Sequence, residues 1–464
     1  MNFEEYVKRL RADNSFFSTK VPVYISRAPG RLDLMGGNDD YTGGLVFEST
    51  IREATHAAAQ LRNDSMVELK NKSASDAGWK GDIIINLEEL SDENQVRKIV
   101  NKSSSVRWTA YVLGNIFYLK KKYPERLTSG IKIYIDSTVP LNRGVSSSAA
   151  IEVAVMKAAA AAYGIDLSGV ELSLACQWVE NTIAESACGI MDQAAVVTGK
   201  EGFMMPLVCQ PCNLEPLIKL PEDLKIWGID SGVSHQVAGI EYEAARAAAF
   251  MGYKIICDHE KIPVTLDESN EILRYTDPLW NGYLANLSRS DFYEKYEKIL
   301  PQKTDRATYL KEHTIHVDPL TPLKENVTYN IWANTKYAVE ENQRVQLFSE
   351  LSRGAALTYS KRAHMLMGDL MYQSHYAYTE SGLGAEATNQ LVSFCKKEGI
   401  ANGIYGAKIT GGGAGGTVAI LADKNAGKTI DKIMELYAKA EMGHPYLFEG
   451  SSDGADSYGI LVMK

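Results

Sequence analysis

Ser146, Ser147 and Ser148 are three consecutive hydroxyls placed after Gly144 in the stretch Pro140-Leu-Asn-Arg-Gly-Val-Ser-Ser-Ser-Ala149. Before them runs Ile131-Lys-Ile-Tyr-Ile135, whose alternation predicts a strand; after them Ile151 to Tyr163, rich in Ala, predicts a buried helix. A turn at that junction lets backbone N–H groups converge where a helix begins, unpaired and at the positive end of the dipole. Such a place suits a phosphate. The serine hydroxyls have three open uses: capping the helix, holding phosphate oxygens, or facing a magnesium ion.

Other polar groups stand in unusual surroundings. Arg27 to Gly44 reads as a loop-rich segment, dense in glycine and acids, between apolar strands. Pro29-Gly30 predicts a turn that points Arg31 away from the strand before it. Asp39, Asp40 and Tyr41 are either groups that grip sugar hydroxyls or an ordinary solvated turn. Asp192 follows Cys188-Gly-Ile-Met191 in a mostly apolar context, as a buried structural acceptor or a catalytic carboxylate. Gly411 to Gly416 formally satisfies GxGxxG, but a strand follows instead of a helix, so a dinucleotide loop is excluded and close backbone approach is expected. Ala422 to Thr429 imitates a Walker A loop, yet Ala422 replaces its first glycine and Asp423 sets an anion where phosphates would lie.

These groups need elements to hold them. Met1 to Phe17 has the spacing of an amphipathic helix, and Val23 to Ser26 that of a short strand. Leu45 to Leu90 alternates as an antiparallel sheet with polar edges. Helices are expected over Ser103 to Leu119, carrying Trp108 and Tyr111, and over Val170 to Ala187, carrying Glu180. Leu220-Pro-Glu-Asp223 marks a boundary between two lobes, 1–220 and 221–464. Beyond it come the strand Ile226 to Ile229, the loop Asp230 to His235 and a helix with Tyr242 and Arg246. Residues 259–330 read as a helical, partly irregular insertion, and Thr335 to Leu370 as one long helical region.

The 464 residues suffice for two or three domains, and 45% hydrophobic with 23% charged residues is the balance of a soluble globular protein. A net charge of −9 with no basic stripe sets nucleic-acid binding aside. No apolar run has membrane-spanning length, and no N-terminal signal pattern is present. Six scattered cysteines, with the single pair Cys209 and Cys212 read as buried thiols, suit a reducing cytoplasm.

Arg27–Gly44, Pro140–Ala154 and Ala407–Thr417 together resemble, in order and spacing, the three motifs of the GHMP kinases, nearest to those of the galactokinase type. The resemblance implies an α+β, two-lobed GHMP kinase fold, with a ribosomal protein S5-like N-terminal lobe, a ferredoxin-like C-terminal lobe and the active site in the cleft. It implies ATP-dependent phosphorylation of a sugar's anomeric hydroxyl. Gly144, Ser146, Ser147, Ser148 and Ala149 would hold the ATP phosphates, with Trp108 and Tyr111 on the adenine side. Ser148 and Glu180 would bind Mg²⁺. Asp192 would accept the hydroxyl proton, with Arg31 against it and against the transferring phosphoryl. Asp192 itself, Gly37, Asn38, Asp39, Asp40, Tyr41 and Tyr242 match the sugar side.

Two positions depart from the galactokinase pattern Gly-Glu-His-x-Asp-Tyr. Gly37 stands for its glutamate and Asn38 for its histidine, side chains that lie near the sugar's C6 hydroxymethyl in galactokinases. The changed motif, with Trp227-Gly-Ile-Asp-Ser-Gly232 and Phe448-Glu-Gly-Ser-Ser452, is similar to that of L-arabinokinases and implies L-arabinose, which lacks that hydroxymethyl. Galactose is the alternative, since an enlarged pocket would still admit the larger sugar. A non-catalytic sugar- and ATP-binding regulator is a further alternative, opposed by the presence of Arg31, Ser148, Glu180 and Asp192. A second departure, Arg143 in the serine turn, either reaches a phosphate or points to solvent.

Overall fold

A computed structural model describes residues 3–12, 16–233, 238–268, 272–440 and 442–464. The first helix, α1 (Phe3–Ala12), buries Tyr6, Val7 and Leu10 against Phe16, Ile25 and Ala58. Residues 1–2 and 13–15 of the helix expected over Met1 to Phe17 lie outside the described residues, and Phe16 and Phe17 lie past α1 in a turn.

Two long strands form the backbone of the first sheet. β1 (Val23–Met35) and β2 (Leu45–Leu61) pair antiparallel, with irregularities between Pro29 and Arg31 and between Asp33 and Met35. The expected short strand ending at Ser26 is therefore too short. Pro29 and Gly30 do not end it, because a bulge absorbs the residue that lacks an N–H and re-aims its neighbours. Arg31 lies within the strand and not beyond a turn.

β3 (Met66–Asn71) and β4 (Asp82–Asn86) follow, then α2 (Ala110–Lys122) and β5 (Ile131–Ser137). β3 pairs antiparallel with β4 but parallel with β5, so the expected all-antiparallel arrangement holds only in part. A short 3-10 turn, Ser104–Thr109, carries Trp108 ahead of α2.

The central helix α3 (Ser147–Ala162) is buried almost all round. Its alanines let it lie close on β1 and β2, whose own Ala57, Ala58 and Ala59 are fully buried, while α2 and α4 (Gly169–Thr182) cover its other side. α5 (Met191–Thr198) and β6 (Phe203–Val208) follow. The expected helix to Ala187 ends at Thr182, and Asp192 belongs to the first turn of α5.

β7 (Leu224–Asp230) enters a second, four-stranded sheet. α6 (Ala238–His259) carries Tyr242 and Arg246; Ser234 and His235 of the loop before it lie outside the described residues. The insertion is not chiefly helical. It contains two small antiparallel strand pairs, Thr265–Asp267 with Arg274–Thr276 and Thr304–Asp305 with Thr328–Tyr329, beside short helical turns. Its Trp280, Leu284, Phe292 and Tyr309 pack with Met251, Tyr253 and Ile256 of α6.

The expected long helical region is two helices, α7 (Ile331–Leu357) and α8 (Lys361–Glu380), broken at Thr358–Ser360, where Ser360 caps α8 by accepting from Ala363 N. α9 (Glu386–Glu398) leads to β8 (Ile404–Ile409) and β9 (Thr417–Asp423), then α10 (Gly427–Lys439) and β10 (Tyr446–Glu449). The second sheet runs β8-β9-β7-β10, antiparallel throughout. The chain then returns: β11 (Leu461–Met463) pairs with β1. A division at 220 thus does not hold to residue 464, because the last strand finishes the first sheet. A core of Leu32, Phe47, Val145, Phe348, Met367 and Phe448 spans both lobes.

Candidate active site

The three sequence stretches meet at one place. Gly411 and Gly144 both have positive φ, +71° and +70°, and a Cβ on Gly411 would stand 2.7 Å from the Gly144 carbonyl oxygen. Only glycine permits that approach. Arg31 joins the other two lines of contact. Its Nη1 donates to Gly144 O at 2.7 Å, and Nε and Nη2 donate to Asp192 Oδ1 at 2.9 and 2.6 Å. Arg31 is 2% exposed. Burial works against its charge, but Asp192, Glu48 and Asp33 outweigh burial and hold the guanidinium protonated.

Asp33 sits directly across the strands from Glu48, both fully buried. Lys408 Nζ, also fully buried, donates to Asp33 Oδ2 at 2.5 Å, and Thr410 Oγ1 accepts from Asp33 N at 2.6 Å. An ion pair in the interior thereby ties β8 to β1 behind Arg31. Glu48, 3.4 Å from Arg31 Nε, has a pKa raised by burial and by Asp33.

Ser146 occupies the N-cap position of α3 in a left-handed conformation, φ 60° and ψ 47°, without a side-chain cap. Its hydroxyl oxygen is buried without a hydrogen-bond partner. Of the three uses open to these serines, helix capping is therefore not Ser146's. Glu180 faces the Ser148 hydroxyl and accepts from Gln193 Nε2 at 2.6 Å. Burial, then Asp192, raises the Glu180 carboxyl to about 7.

A cavity of about 670 Å³ is lined by Arg31, Trp108, Tyr111, Gly144, Ser146, Ser147, Ser148, Glu180 and Asp192. Trp79 and Arg143 also line it. Trp79 was not legible, because one tryptophan in a polar turn has no period to mark it. Arg143 neither points to solvent nor hangs free: its Nε lies 3.3 Å from Asp230 Oδ2. Ala149 is fully buried in the first turn of α3 and lines neither this cavity nor the next.

Asp40 and Tyr41 line a second cavity of about 440 Å³, walled by Arg246 of α6 and by Arg274, Tyr275 and Asp318 of the insertion. The Asp40 carboxyl is raised to about 7, by burial first and Asp192 second, with Arg246 opposing. Tyr242 meets the Tyr41 ring edge-on at 5.9 Å.

Gly37, Asn38, Asp39 and Tyr242 line neither cavity. Asp39 is turned inward: it accepts from the Thr42 hydroxyl, and burial raises its carboxyl far above the usual range. Asn38 Nδ2 is buried and unpartnered. The Cβ of any side chain at 37 would fall on the Tyr378 hydroxyl, which accepts from Asn38 N at 3.1 Å and donates to Gly411 O at 2.8 Å. The expected enlargement of the pocket there is absent, because Tyr378 fills the space. Lys428, the lysine of the Walker-like stretch, is exposed on α10 and lines neither cavity.

The architecture and this convergence of loops define a GHMP-kinase fold. The galactokinase of Lactococcus lactis, solved with galactose, superposes with a TM-score of 0.74 at 20% identity, covering 99% of this chain and 100% of that one. A mevalonate kinase structure gives 0.54 at 15% identity, covering 93% and 99%. The family profiles for the GHMP kinases N terminal domain, the galactokinase galactose-binding signature and the GHMP kinases C terminal match residues 110–200, 14–61 and 355–438. Over these stretches the chain is similar to the GHMP kinases. It is similar to the L-arabinokinase of Arabidopsis thaliana, 34% identical over 99% of this chain and 48% of that protein, and so spans about half its length. The galactokinase of Chloroflexus aurantiacus is 29% identical over 90% of this chain and 88% of its own. No helix among the described residues is long and apolar enough to cross a membrane.

Proposed function

We propose that the protein is a sugar 1-kinase that transfers the γ-phosphoryl of ATP to the anomeric hydroxyl of L-arabinose. The observation that carries this reading is the joining of Asp192, Arg31 and the serine turn in one cavity. Ser146, Ser147 and Ser148 with the N-terminus of α3 cradle the phosphates. The buried, unpartnered Ser146 hydroxyl fits that use. Trp108, Tyr111 and Trp79 flank the base.

Asp192, 23% exposed in the cavity, accepts the proton of the attacking hydroxyl. Arg31 orients it and meets the charge that spreads over the transferring phosphoryl oxygens. Ser148 and Glu180 are hard oxygen ligands fit for Mg²⁺, which takes few protein ligands and keeps its waters. When bound, Mg²⁺ would neutralise charge on the phosphates. Asp40, with Tyr41 and Tyr242 beside it, accepts from sugar hydroxyls.

The substrate assignment rests on position 37. With Tyr378 in the way, no carboxylate can stand there to meet a C6 hydroxyl. The similarity to an L-arabinokinase agrees. Six free cysteines suit a reducing cytoplasm.

The test is product identity. With ATP, Mg²⁺ and L-arabinose, phosphorus NMR should show a phosphate coupled to the anomeric proton. Asp192→Asn should lower kcat by about 10²–10⁴-fold with ATP affinity little changed. Phosphate on another hydroxyl, or near-normal turnover in the variant, would overturn the assignment.

A further inference from the structure

The insertion supplies a fully buried acid to the sugar side of the site. Asp318 accepts from Arg246 Nε at 2.7 Å and Nη2 at 3.0 Å, and from Leu320 N at 3.1 Å. Both partners are 4% exposed. The bidentate fork fixes the guanidinium plane, which a single contact would leave free to turn. The plane lies against two rings, Tyr41 at 5.0 Å and Phe250 at 5.5 Å. Arg246 Nη1 is buried and has no hydrogen-bond partner in the protein. Arg246, Asp318, Asp40 and Tyr41 line one cavity.

We propose that Asp318 is a positioning residue for sugar recognition: it locks Arg246 so that the guanidinium braces Tyr41, stays beside Asp40 and offers its spare nitrogen to a sugar hydroxyl. The inference rests on the sugar-kinase reading and deepens it, since it gives residues 259–330 a part in substrate binding. A purely structural clasp would have no reason to leave one guanidinium nitrogen unpartnered beside a cavity lined by Asp40. Other charged and titratable groups facing Asp40 are Asp39 beside it, Asp192 on α5, Tyr242 on α6 and Tyr378 on α8, with Cys188 and Cys209 on the adjoining loops. Asp318 touches none of the nucleotide-side residues, so its effect should be confined to the sugar.

The experiment is steady-state kinetics of wild type, Asp318→Asn and Arg246→Lys with both substrates varied. Asp318→Asn keeps the shape but loses the charge-assisted fork. Arg246→Lys keeps the charge but cannot make the fork, so it serves if the first variant does not fold. Sugar KM is expected to rise about tenfold or more in each, with kcat and ATP KM within about twofold of wild type. An unchanged sugar KM in the folded variant, or sugar and ATP KM rising together, overturns the inference. Wild-type protein that phosphorylates no sugar overturns the kinase reading itself, a different result from either.

Discussion

Asp40 and Asp192 are two carboxylates placed within each other's field, and their partners separate their tasks. Arg31 clasps Asp192, whereas Asp40 is deeper, hydrogen-bonded by its neighbour's N–H (Tyr41 N) at 2.8 Å and pushed to about 7 by burial and then by Asp192. An acid raised in this way holds its proton below that value and becomes an acceptor-only carboxylate above it. Sugar KM is therefore expected to fall as pH rises through about 7, and Asp40→Asn should abolish that fall. Sugar KM measured across this range checks it, and a pH dependence unchanged in the variant would remove Asp40 from sugar binding. At this scale the sequence was most legible for the serine turn, Arg31 and Asp192, because hydroxyls, a cation and an acid in apolar surroundings are costly to bury without purpose. Asp39 misled for the same reason: its burial serves Thr42 and the closure of its own loop. Asp318 gave no local signal at all, since its meaning depends on Arg246, 72 positions away.

Among elements, β1 shows what pattern reading misses. Pro-Gly suggests an ending, yet neighbours on β2 keep the strand in register across the bulge. That continuation places Arg31 and Asp33 on one rigid run, with Gly37 two residues past its end, and Lys408 on β8 anchors it. Position 37 is then set by α8, which brings Tyr378 against it. Gly37→Glu, the change toward the galactokinase motif, is expected to destabilise by about 1–3 kcal/mol through overpacking and not to confer galactose preference. Adding Tyr378→Ala should recover part of the loss. Thermal unfolding of the single and double variants measures both steps. A Gly37→Glu protein as stable as wild type would mean that Tyr378 does not hold the space. The break between α7 and α8 escaped notice because it contains no glycine or proline, only the capping serine Ser360.

The whole molecule is built so that stretches around residues 31, 144 and 411 touch, with Arg31 and two glycines as the points of contact. The lobes are not independent. A core runs through both, and the chain's end comes back to β1, where Arg27 donates to Ser452 Oγ at 3.1 Å. The two-lobed plan was readable from the motifs. The returning tail was not, because three residues of edge strand carry too little pattern, and neither were the insertion's short strand pairs.

As proposed, this whole arrangement phosphorylates L-arabinose in preference to its C6 homologue. Comparing kcat/KM for L-arabinose and D-galactose, with ATP and Mg²⁺ at saturation, tests it directly. The higher value is expected for L-arabinose; an equal or higher value for D-galactose would rule that preference out.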